Sequence, residues 1–161
     1  MPYFKDTDGR LHFLESADFE HLLPAGCVQI TDTEAVALQT PTTDQAKAAK
    51  WDAIKAERDR RTETGGYKVG TKWFHSDQKS RSQQLGLVLL GANIPANLQW
   101  KTMDGSFVTM TAALAQQVLG AAAASDQAIF AAAEAHKAAM EASADPASYD
   151  FSGDWPATFA G

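Results

Sequence analysis

Cysteine is nearly absent: Cys27 stands alone among 161 residues, which excludes an intrachain disulfide framework and suits a reducing compartment. Basic residues are in deficit as well. Fourteen Lys and Arg against twenty Asp and Glu leave a formal net charge of −6, the wrong sign for a surface that must neutralise phosphates, so nucleic acid is not an expected partner. No apolar run approaches the ~20 residues that cross a bilayer, and Met1-Pro2-Tyr3-Phe4-Lys5-Asp6 lacks the apolar stretch of a signal peptide. A membrane partner is therefore not expected either. Residues 65–111, the stretch richest in signals, also lack a phosphate-cradling glycine loop, paired carboxylates and a metal-ligand cluster, and neither enzyme activity nor a cofactor is expected. At 45% hydrophobic residues it can nevertheless bury a core.

The most informative stretch is residues 65–111. Gly65-Gly66 opens a short aromatic run in which Tyr67 and Val69 precede Gly70 and Trp73 follows it. After a helical block over residues 76–90, Trp100 and Thr102 precede Asp104-Gly105, with Phe107 behind. Alternation about a glycine that accepts positive φ is a hairpin signal. The stretch reads as hairpin, helix, hairpin.

Residues 1–40 read as a small αβ unit. Asp6-Thr7-Asp8-Gly9 turns a first hairpin, residues 16–23 offer a short helix with a Phe19, Leu22, Leu23 stripe, and residues 27–30 a third strand. Thr31 and Glu34 have capping-box spacing and start a second short helix. Residues 41–64 read as a linker helix, with Thr42 and Gln45 spaced for another cap and charges over most of its surface. Residues 65–161 form the main domain. The expected class is α+β: the small unit, the linker helix, then hairpin–helix–hairpin packed with a long alanine-rich C-terminal helix.

That last helix spans residues 111–144 and is closed by Asp145-Pro146. Leu114, Val118, Ala122, Ser125, Ile129, Ala132, His136 and Met140 recur at heptad-like spacing. An unbroken helix of this length measures about 50 Å, against a radius of gyration near 15 Å for so small a chain. It must break, at Gly120, or carry Leu114, Val118, Ile129 and Met140 to another helix of this chain or of a second copy. Beyond it, Tyr149, Phe151, Trp155 and Phe159 follow no period. They are expected to form an extended arm for a partner.

Reactive groups read as structural. Cys27 with His12 or His21 would make a nucleophile pair, but Cys27 sits in an apolar strand, where a buried structural thiol is the usual case. His75-Ser76-Asp77 supplies two metal ligands at most, and Ser76 or Asp77 serves better as a helix N-cap. His136 suits a hydrogen-bonded interface, and Trp73, Trp100 and Phe107 suit a core more than a ligand groove.

The series Lys55-Ala56-Glu57-Arg58-Asp59-Arg60-Arg61, Gly65-Gly66, Trp73-Phe74-His75-Ser76-Asp77, Ser80-Arg81, Trp100-Lys101-Thr102-Met103-Asp104-Gly105-Ser106-Phe107-Val108 and Ala135-His136-Lys137-Ala138 resembles a domain of unassigned function from tailed phages and prophages, recurrent in proteins encoded beside tail fibres. Tyr3, Asp8-Gly9, Leu23-Pro24-Ala25-Gly26 and Ile30-Thr31-Asp32 look like the start of tail-fibre assembly proteins. The resemblance implies a tail-fibre assembly chaperone or accessory protein that binds the phage tail-fibre protein in the host bacterial cytoplasm. Its alternatives are a structural component kept on the virion tail and a glycan-binding module using Trp73 or Trp100. A second copy of the chain is the other partner considered.

Overall fold

The computed structural model describes residues 2–160, the side chain of Ala17 excepted. The class is α+β, and the chain divides into two units, Met1–Ala46 and Lys47–Gly161.

In the first unit, β1 (Tyr3–Lys5) pairs antiparallel with β2 (Leu11–Phe13) and with β3 (Val28–Ile30), giving the order β2-β1-β3. Asp6 builds the first turn. Its carboxylate accepts from the Asp8 and Arg10 amides at 3.0 and 2.8 Å and meets His12 Nε2 at 2.9 Å, bonds that hold its pKa below the usual range. The expected short helix is present as a 3-10 helix over Ala17–Leu22, but Phe19 and Leu22 of its apolar stripe are exposed. Six residues ahead of Pro24 are too few to establish an α-helical ladder. Then α1 (Asp32–Gln39) starts on the expected capping box, with the Glu34 amide donating to Thr31 Oγ1 and the Thr31 amide to Glu34.

The helix α2 (Thr43–Thr64) begins in the first unit and continues into the second. Its cap uses Thr42 and Gln45 reciprocally, at 2.8 and 3.2 Å. Within the second unit it is more than a connector, since Ile54 is fully buried against Ala133 and Met140.

Two hairpins follow, β4 (Tyr67–Val69) with β5 (Lys72–Phe74) and β6 (Gln99–Lys101) with β7 (Phe107–Thr109), flanking α3 (Gln78–Leu90). Gly70 takes φ 60° at the first tight turn. In the second hairpin the Thr102 amide donates to Ser106 O at 2.9 Å, so three residues turn the chain, with Gly105 at φ 80°. That register puts Val108 inward and leaves Phe107 61% exposed, opposite Lys101, so the core role expected for Phe107 is corrected. In the first hairpin Tyr67 and Phe74 face the core as a cross-strand pair, and Trp73 lies on the opposite face.

The spine is α4 (Ala112–Ala142), 31 residues and about 46 Å at the α-helical rise. It does not break at Gly120, which is exposed and has open space about its Cα. One glycine costs a helix about 1 kcal/mol, which the alanines around it offset. Nor does it need a second copy to cover its stripe. Ala115, Val118 and Ala122 pack with Tyr67, Phe74, Leu87 and Met110, while Ala133 and Met140 pack with Ile54. The inward register is Ala115, Val118, Ala122, Ile129, Ala133, His136, Met140, with Leu114 half-buried at its side.

Candidate functional site: a groove between a helix and a strand

Helix α3 is placed by three polar devices. Asp77 caps it, accepting from the Ser80 amide at 3.0 Å, and this hydrogen bonding with Ser80 lowers the Asp77 pKa. Arg81 ties the unit together: its guanidinium pairs with both Asp126 oxygens at 2.7 and 2.8 Å and donates to Ser76 O and Thr62 O. The same cation lies 5.5 Å from the Tyr67 ring centre. The Tyr67 hydroxyl donates to Gln84, whose amide donates to His75 O at 3.1 Å. Burial pushes the Tyr67 phenol pKa up, so this hydroxyl remains a donor.

The two hairpins are joined across their turns. The Met103 amide donates to Trp73 O at 2.9 Å, and Lys72 Nζ reaches Asp104 at 2.8 Å. Asp104 also accepts from Ser106 and Thr102, and Lys72 above all, with these two donors, holds its carboxyl well below the usual range.

With α3 and the second hairpin so fixed, an open groove of about 670 Å³ remains between them. One wall is the α3 face of Ser80, Gln83, Leu87 and Leu90, and the other is the β6 segment Leu98 to Lys101. The volume lies within the range of ligand sites. Trp100 forms part of the strand wall, and its buried indole N–H is the one buried side-chain polar atom among the described residues without a partner. Trp100 is half-buried, with its ring packed on the first core cluster, so it serves both core and groove.

The residues expected as a free arm are not free. Tyr149, Phe151 and Trp155 pack on the Ile54, Ala133, Met140 cluster. His136 holds the segment, with Nδ1 3.0 Å from the Tyr149 hydroxyl and Nε2 3.0 Å from Gly153 O. A carbonyl only accepts, so Nε2 carries a proton, and in the neutral ring that leaves Nδ1 to accept from the tyrosine. Arg61 donates to Pro156 O at 3.2 Å and lies over the Trp155 ring, while the Phe159 amide donates to Gly65 O at 2.8 Å. Phe159 sits against Trp73, ring centres 6.3 Å apart. Aromatics without a sequence period thus cover the far half of α4 and the outer face of the first hairpin. Of the α4 stripe residues, Val118, Ile129 and Met140 are buried and Leu114 is half-buried.

Cys27 is half-buried, and burial raises its thiol pKa, which disfavours a thiolate. Among the described residues no three His, Cys, Asp or Glu side chains form a metal-binding group, and no helix is long and apolar enough to cross a membrane. Leu87, Leu90 and Leu98 were not expected as site residues. Their apolar spacing is that of an ordinary buried face, and only the placement of β6 leaves a gap beside them.

Fold and site together define an α+β domain built on one long alanine-rich helix, with a groove open beside a short hairpin. The chain belongs to the family described as a domain of unknown function, DUF4376, whose model matches residues 45–153. No curated protein and no solved structure matches. The matched span takes in nearly all of α2 and the folded-back segment as far as Gly153, the two elements that cover the second half of α4.

Proposed function

We propose that the protein is an accessory protein or chaperone of phage tail-fibre assembly, which binds the fibre protein in the host bacterial cytoplasm and covers apolar or strand-edge surface until the fibre trimerises. The observation that carries the reading is the apolar surface left open on α3 and in the groove beside it. Leu90 is 46% exposed and continues into the groove wall, while Leu85 and Leu89, 47% and 80% exposed, lie on the side of α3 away from the groove. Exposed large apolar side chains gathered on one helix mark a protein-contact surface. The phage assignment rests on the sequence resemblance. Co-expression with the adjacent fibre gene is the test: soluble trimeric fibre should require this protein, which should be missing from purified virions. Soluble trimers formed equally well without it would refute the reading. Retention in virions would make it a structural tail component instead.

One observation favours a second reading, a glycan-binding module: Trp100 stands in the groove with the amides of Gln83 and Gln99 close by. Binding of host-surface glycan by the purified protein, lost in Trp100→Ala with folding intact, would support it.

A further inference from the structure

We propose that the groove captures an extended segment of a partner protein as a third strand on the outer edge of β6. The inference deepens the protein-binding reading above and rests on it for the source of the strand.

The ladder between β6 and β7 shows which main-chain groups are spent. Met110 N donates to Leu98 O at 2.8 Å and Thr102 N to Ser106 O at 2.9 Å. Residues two apart on an antiparallel strand point their N–H and C=O the same way. Leu98, Trp100 and Thr102 therefore face β7, while the N–H and C=O of Gln99 and Lys101 face away from it. Among the described residues these outward groups have no hydrogen bond to another element. They border the groove, whose opposite wall is α3. A strand edge with free amides and carbonyls facing a helix is the geometry of peptide capture by strand addition: main-chain bonds give affinity and pockets for alternate side chains give specificity.

The occupant must be a lone strand. A second copy would have to bring its own β7 and α3 along with its β6, a bulkier insert beside the α3 wall than a single strand. A single segment of about four residues, near 13 Å at the strand rise, matches β6 and Leu98 before it, since the next outward amide, that of Met103, is already taken by Trp73 O. Its chemistry follows from the walls. Leu87, Leu90 and Leu98 suit apolar side chains at alternate positions. Lys101 and His75 are lining residues, and no Asp or Glu is, which favours a carboxylate on the incoming strand. A fibre protein awaiting trimerisation exposes such strands.

The full-length protein, labelled with ¹⁵N, would be titrated with pooled acetylated and amidated hexapeptides. These carry Val, Ile or Leu at alternate positions with Ser, Thr or Glu between, and a second pool is N-methylated at alternate residues. The first pool should shift and protect the Gln99 and Lys101 amides, and N-methylation should weaken binding about tenfold or more by removing strand donors. In the same titration Lys101→Pro, which deletes an outward N–H and spares the β7 ladder, should lose binding with little change in melting, while Lys101→Ala, which removes the charge and keeps the N–H, should still bind the peptides without Glu. Equal binding of both pools, or no protection of those amides, overturns strand capture. Protection that grows with protein concentration in the absence of peptide overturns it in favour of self-pairing. Pulldown with the fibre protein separates the two readings: peptide capture without fibre binding defeats only the fibre assignment, and fibre binding unaffected by Lys101→Pro defeats only strand addition.

Discussion

Trp155→Ala should destabilise the second unit substantially, although the residue lies only six positions from the end of the sequence. Its ring packs on the Ile54, Ala133, Met140 cluster, 4.9 Å from the His136 ring centre and 5.1 Å from the Arg61 guanidinium. Its Nε1 donates to Phe151 O at 2.7 Å. Removing about 150 Å² of buried aromatic surface costs about 4 kcal/mol at 25 cal/mol per Å². The bond adds about 1 kcal/mol and the cation–π contact about half that. Freeing the segment to move returns part of this sum, so a net loss near 3 kcal/mol is expected. For a unit of about 115 residues that lowers the melting temperature by roughly 10 °C, readable by circular dichroism at 222 nm. Deleting residues 147–161 should cost more, because the Tyr149, Gly153 and Pro156 anchors go as well. A Trp155→Ala protein melting within about 2 °C of the parent would refute the packing argument and restore the arm as a free element.

The fragment 42–161 should melt cooperatively by calorimetry, since it keeps the Thr42–Gln45 cap and the whole second unit; a broad, non-cooperative transition would place residues 1–41 in the same core. Arg81→Ala should cost about 3 kcal/mol in urea unfolding, with Arg81→Lys recovering little, because a lysine cannot supply two bonds to Asp126 as well as those to Thr62 O and Ser76 O. Stability should also fall in acid. Arg60 and Arg61 lower the Glu57 pKa from 4.5 to about 2, so its contribution is present above about pH 4.5 and is lost as pH falls towards 2. Surface screening keeps that contribution near 1 kcal/mol, and Glu57→Gln should flatten the pH 2–5 limb of the stability curve by about that much.

The elements legible before any coordinates are those with local causes. Gly70 and the Asp104-Gly105 pair mark the two hairpins, because a turn is settled within a few residues by the φ it demands. The Thr31–Glu34 and Thr42–Gln45 caps are likewise three-residue events, as is the α3 cap, which the sequence places at Ser76 or Asp77 and the structure at Asp77. Asp145-Pro146 closes α4 because proline cannot extend the ladder.

Long-range placement is a different matter, since its energies come from residues that meet only after folding. Phe107 and Val108 are adjacent apolar residues, and one extra residue in the turn selects which of them enters the core. Gly120 looks like a hinge in sequence, yet it sits on the exposed side of a helix clamped at both ends. The groove exists because α3 and β6, each ordinary by itself, are held apart by the Arg81 and Asp104 networks. The aromatics after residue 148 have no periodicity to read, because they answer to His136 on α4 and to Arg61, 95 residues before its partner Pro156. An aperiodic segment can be an arm or a core with the same composition, and the difference is whether distant surfaces complementary to it have already been brought together.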